Sequence, residues 1–91
     1  MIEKTKQSSE NLDYDFYFFE HFPSGDNISS VVVSATPIGL TLSPSASINN
    51  QIVKQFISGG SDGMRYKVTC TATSGAGRIK ELEFYLTIDN T

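Results

Sequence analysis

Ser61 lies in Gly59-Gly60-Ser61-Asp62-Gly63, which matches the G-x-S-x-G spacing by which α/β-hydrolases present a nucleophilic serine. That chemistry needs a strand-turn-helix elbow in a large parallel sheet, with the histidine last in chain order. Here His21 is the only histidine and stands upstream of the serine. The glycines are better explained by a tight corner that needs left-handed backbone angles. His21, with Ser24 and Asp26 nearby, spans only a turn, and a lone histidine falls short of the protein ligands that zinc takes. Asp13, Asp15, Asp26 and Asp62 offer oxygen ligands, but they lack the dense D-x-D-x-G spacing of calcium loops. Cys70 is the single cysteine, so it has no partner for an intramolecular disulfide. These residues predict no reaction, no cofactor and no metal.

Chemistry of another kind is carried by Phe16-Tyr17-Phe18-Phe19. A strand packed on one side needs one aromatic face. Aromatic groups on both faces require that part of this surface be covered, either within the chain or by a partner protein. Phe16, Tyr17, Phe18 and Phe19 are therefore the candidate protein interface. Asn27-Ile28-Ser29 fits the glycosylation sequon only as a pattern, because no secretory signal accompanies it.

The elements that would position these residues are strands. Met64 to Ser74 and Arg78 to Ile88, joined by Gly75-Ala76-Gly77, alternate with period two. The pattern points Tyr66, Val68, Cys70 and Ala72 inward opposite Leu82, Phe84, Leu86 and Ile88. Further strands are expected over residues 12–19, 27–35, 39–42, 45–50 and 51–58, with Pro37 and Pro44 ending the second and third of these. A hairpin with one apolar face needs a second layer to cover it. The prediction is an all-β protein, specifically an immunoglobulin-like antiparallel β-sandwich of about seven strands. Asp62 and Tyr66 precede the core position Val68 by six and two residues, like the corner that enters the sixth immunoglobulin strand. With no tryptophan and one cysteine, apolar packing must replace the disulfide core of antibody domains. Residues 1–11 lack periodicity and are expected to be a flexible arm, leaving residues 12–91 as one sandwich domain.

Composition narrows the partners. The 91 residues carry a net charge of -3 with scattered basic residues, which disfavours nucleic acid. No apolar run approaches the length of a membrane helix, and the first residues contain no signal-peptide core, so neither membrane insertion nor secretion is expected. Six of the ten acidic residues fall within the first thirty positions, making that side the more negative one.

Two blocks resemble a known family. Leu12-Asp13-Tyr14-Asp15-Phe16, continued by Phe22-Pro23-Ser24-Gly25-Asp26-Asn27-Ile28, is similar to an acidic-aromatic strand followed by a G-D-x-I turn. Ser58-Gly59-Gly60-Ser61-Asp62-Gly63-Met64-Arg65-Tyr66-Lys67-Val68-Thr69-Cys70, with Gly77-Arg78 after the hairpin turn, is similar to an S-G-G-x-x-G-x-x-Y-x-V-T segment and a later G-R. Both resemble small immunoglobulin-like virion proteins of tailed phages and prophages, of the fibre-tail adaptor type. Phe19 or Phe22 stands where that family often has tryptophan, and Glu83 and Tyr85 do not supply its basic residue. The resemblance implies a structural adaptor, not an enzyme, made in the bacterial cytoplasm and used in the virion. Its implied partners are other virion proteins, with a second copy of the chain as a further candidate. A carbohydrate-binding or surface-adhesion module is the alternative function.

Overall fold

A computed structural model describes residues 2–42 and 46–90. Among these described residues eight strands follow in order: β1 (Glu3–Lys6), β2 (Leu12–Tyr17), β3 (Ile28–Thr36), β4 (Leu40–Leu42), β5 (Ser47–Asn49), β6 (Ile52–Gly59), β7 (Arg65–Ser74) and β8 (Ile79–Ile88). One sheet has the order β1-β8-β7-β3; the other has β2-β6-β4, with β5 also paired to β6. The two sheets face each other as a sandwich.

The long hairpin organises the first sheet as its alternation dictates. β7 and β8 pair with Tyr66 opposite Leu86, Val68 opposite Phe84 and Cys70 opposite Leu82. The inward set Tyr66, Val68, Cys70, Ala72, Phe84, Leu86 and Ile88 is buried, and Leu82 packs at its rim. The facing layer contributes Tyr14 and Phe16 from β2 and Val53 and Ile57 from β6, completing one core. Tyr14 and Phe16 place their rings 5.3 and 5.5 Å from that of Phe84, so the two sheets meet through aromatic contacts.

The corner between β6 and β7 takes the form expected of it. Gly59, Gly60 and Gly63 have φ of 78°, 98° and 83°. A Cβ on Gly60 would lie 2.7 Å from Ile88 Cγ1, so this glycine is required by packing as well as by backbone angle. The Ser61 N–H donates to the buried Tyr66 hydroxyl at 3.1 Å, a bond from the corner to the tyrosine that opens β7.

Three elements depart from expectation. Glu3–Lys6 is not a free arm: it pairs in parallel with β8, Glu3 opposite Tyr85 and Lys6 opposite Ile88. The strand is held by backbone bonds from Tyr85 N–H to Ile2 O and from Asp89 N–H to Lys6 O. Lys6 also turns inward and donates to the carbonyls of Gln7 and Gly59, both at 2.7 Å. Polar residues can form such a strand because its stability comes from the ladder and the Lys6 anchor rather than from apolar alternation. β2 ends at Tyr17 instead of Phe19, since Phe22 and His21 donate their N–H groups back to Phe18 O and curl the chain into a turn. Leu12 alternates with the buried Tyr14 and Phe16, but it lies at the open end of β2 and is 38% exposed. The expected role of Pro44 as a strand end, and the Ser45 start of the strand near β5, lie outside the described residues.

Candidate docking surface

The aromatic run splits in two. Phe16 and Phe18 are buried, 4% and 0% exposed, and belong to the core, where Phe18 stacks on Phe22 at 5.6 Å. Tyr17 and Phe19 are 55% and 57% exposed and stack on each other at 6.1 Å. Intramolecular cover thus accounts for one pair of the four candidates, and the other pair forms an outward aromatic step.

The turn that presents Phe19 is clamped by a residue that sequence patterning did not single out. Gln51 is buried, and its side-chain amide donates to the carbonyls of Phe22, Pro23 and Asp26 at 3.4, 2.9 and 3.1 Å. Its backbone carbonyl accepts the Phe18 N–H at 2.9 Å. One glutamine therefore satisfies backbone groups that a buried turn would leave unpaired. No sequence signal marks it, because an isolated glutamine before a strand is ordinarily a surface residue.

Beside the aromatic step, the sheets part between β2 and β8 to leave a groove of about 360 Å³, lined by Ile2, Lys4, Tyr17, His21 and Phe84 among others. Lys4 extends its ammonium over the rings of Tyr14 and Phe84, at 5.9 and 5.8 Å. The Tyr17 hydroxyl donates to Asp15 Oδ2 at 3.2 Å, while Asp15 Oδ1 and the Tyr14 hydroxyl are buried with no hydrogen-bond partner among the described residues. Burial pushes the Tyr14 phenol up, with the carboxylates of Glu10 and Asp13 adding to the shift.

The residues weighed for catalysis or metal binding are engaged in structure. Ser61 is exposed on its corner, and the groove that His21 lines does not include it. Cys70 is completely buried, and desolvation pushes its thiol up to about 12, so it is packed as an apolar group. Asp13 pairs with Lys54 at 3.5 Å, and Asp62 accepts the Asn90 N–H at 3.0 Å. Among the described residues no three His, Cys, Asp or Glu side chains are grouped to hold a metal.

The two blocks that carried the resemblance meet at one end of the sandwich. Arg78 Nη1 lies 2.6 Å from Asp26 Oδ2, and the Ala76 N–H donates to Asp26 Oδ1 at 3.1 Å. The G-D turn before β3 is thereby tied to the G-R turn of the β7–β8 hairpin. These residues brace the loops between strands; they do not converge on a cleft. No curated protein matches the chain. A family model described as "Podophage GP4 fiber-tail adaptor protein gp77" matches residues 6–87, from the inward Lys6 of β1 through nearly the whole of β8. With all but the first few and last few residues inside that match, the chain belongs to the podophage GP4 fibre-tail adaptor family.

Proposed function

We propose that this protein is a structural adaptor of a podophage tail that acts by binding other virion proteins, using the exposed Tyr17–Phe19 step and the groove beside it. The family match carries the reading, since the family is one of fibre-tail adaptors. The surface suits the role: two aromatic rings, rimmed by Lys4, Asp15 and His21, combine an apolar centre with polar edges, as protein interfaces do. The same reading makes the protein a component of the particle, synthesised in the host cytoplasm. It takes the sandwich as immunoglobulin-like, supported by the orders β2-β6-β4 and β8-β7-β3, which parallel the B-E-D and G-F-C sheets of that fold. The bond from Ser61 N–H to Tyr66 corresponds to the tyrosine corner of the same fold.

The test is the double variant Tyr17→Asp, Phe19→Asp. Both side chains are more than half exposed, so the circular-dichroism spectrum and melting curve should stay close to those of the parent. Incorporation into particles, scored by the protein content of purified virions, should fall at least about tenfold, because a central aromatic anchor is worth roughly 2 kcal/mol or more. Normal incorporation of a folded double variant would rule out this surface.

A further inference from the structure

β3 is an edge strand, and it lacks the charged residues and proline by which edges commonly avoid pairing. It ends the order β1-β8-β7-β3, and among the described residues no strand pairs with its outer side. Its nine residues, Ile28-Ser29-Ser30-Val31-Val32-Val33-Ser34-Ala35-Thr36, include no charge and no proline. The edge strand β1, by contrast, carries Glu3, Lys4 and Lys6. Val32 lies on the outer face at 69% exposure, and Val31, Val33 and Ala35 pack only partly against the core.

The direction of the edge backbone groups follows from the neighbouring ladder. Ser74 donates its N–H to Arg78 O, toward β8, so the even residues of β7 bond to β8 and the odd ones face β3. β3 pairs with β7 through Ser30 with Thr73, Val32 with Thr71 and Ser34 with Thr69. The even residues of β3 therefore bond to β7, and Val31, Val33 and Ala35 turn their N–H and C=O groups to the edge, where no strand pairs with them among the described residues.

We infer that β3 is a self-pairing edge: a second copy of this chain adds to it antiparallel about a two-fold axis at Val32, forming a continuous sheet across a dimer. The strand is close to a palindrome about Val32, with Val31 and Val33 on either side, then Ser30 and Ser34. In this register Val31 bonds to Val33 of the second copy through these edge groups, and Ser30 stands opposite Ser34. Residues facing each other share parity, so the inner faces of both sheets stay on one side and the half-buried valines cover each other. An uncharged, self-complementary strand fits its own copy with no repelling pair, which is what a two-fold interface requires. The inference is independent of the adaptor reading, since it concerns the purified chain alone.

Sedimentation equilibrium across protein concentrations tests it. The parent should pass from monomer to dimer as concentration rises. Val32→Lys sets two like charges opposite each other at the axis, on an exposed position the monomer tolerates, and should weaken the dimer at least about tenfold. Val32→Cys tests the register. Opposed residues at a non-hydrogen-bonded pair have Cα atoms about 4.5 Å apart, within disulfide range, so this variant should oxidise to a covalent dimer. Ser34→Cys should not, because its two copies would lie about 13 Å apart along the strands. Cys70 is buried and does not compete. A parent that stays monomeric, a Val32→Lys dimer as tight as the parent's, or equal cross-linking of the two cysteine variants would each overturn the inference. So would a dimer dissolved by Tyr17→Asp, Phe19→Asp and not by Val32→Lys, which would place self-association at the aromatic step.

Discussion

Asp26 illustrates how a single carboxylate ties the molecule together. The Ser74 hydroxyl, followed by the Arg78 guanidinium and the Ala76 N–H, holds its carboxyl below the ordinary value of 3.8. A carboxyl group depressed in the folded state contributes stability that is present above its unfolded value and disappears as pH falls through the folded one. The expected outcome is that the parent loses stability below pH 3.8 more steeply than Asp26→Asn, whose side chain does not titrate. Urea melts repeated from about pH 5 downward measure this, and parallel pH profiles for the two proteins would refute it. The sequence offered Asp26 as an oxygen ligand; what it could not convey was that Arg78, 52 positions later, would lie within 2.6 Å. Long-range partners of surface charges leave no periodic trace, whereas Cys70 could be read as a core residue because its neighbours Val68 and Ala72 alternate with it.

At the scale of elements, β1 depends on Lys6. Its ammonium caps Gly59 O and Gln7 O, and burial, opposed by the nearby Glu10 carboxylate, holds its pKa below 10.5. Lys6→Ala leaves the Gly59 carbonyl without that donor and should cost about 1–3 kcal/mol in a denaturant melt. Lys6→Met restores the packing of the stem but not the bonds, so it should recover only part of the loss. Hydrogen exchange at the Tyr85 amide, which bonds to Ile2 O, should accelerate in both variants; unchanged exchange would mean that β1 is held without Lys6. This strand was illegible in the sequence because Glu3-Lys4-Thr5-Lys6 has no apolar period, and its partner lies at the other end of the chain. The β7–β8 hairpin was legible to within one residue at the start of each strand, since a slip of one residue would turn its whole apolar face outward. The aromatic run was legible in part. Alternation with Tyr14 and Phe16 puts Phe18 on their side, but the turn from Phe18 to Phe22 decides that Phe19 faces solvent, and that turn depends on Gln51 from a distant segment.

For the whole molecule, the positions of the two proposed surfaces matter more than either alone. β1 and β3 are opposite edges of one sheet, so pairing through β3 leaves the β1 and β2 side of each copy pointing outward. Because Tyr17 shares its groove with Ile2 and Lys4 at the β1 edge, the dimer carries two Tyr17–Phe19 steps directed away from the shared axis. Two linked sites on a repeated partner bind with an avidity that can exceed single-site affinity by a factor of about 10²–10⁴. Val32→Lys should therefore leave single-site binding intact while removing this gain. On tails purified from particles lacking the protein and immobilised densely, its dissociation should be at least about tenfold faster than the parent's. On sparsely immobilised tails, where a dimer cannot reach a second site, the two rates should agree. Equal rates at both densities would mean that the adaptor engages its target one copy at a time, with the β3 edge playing no part in tail attachment.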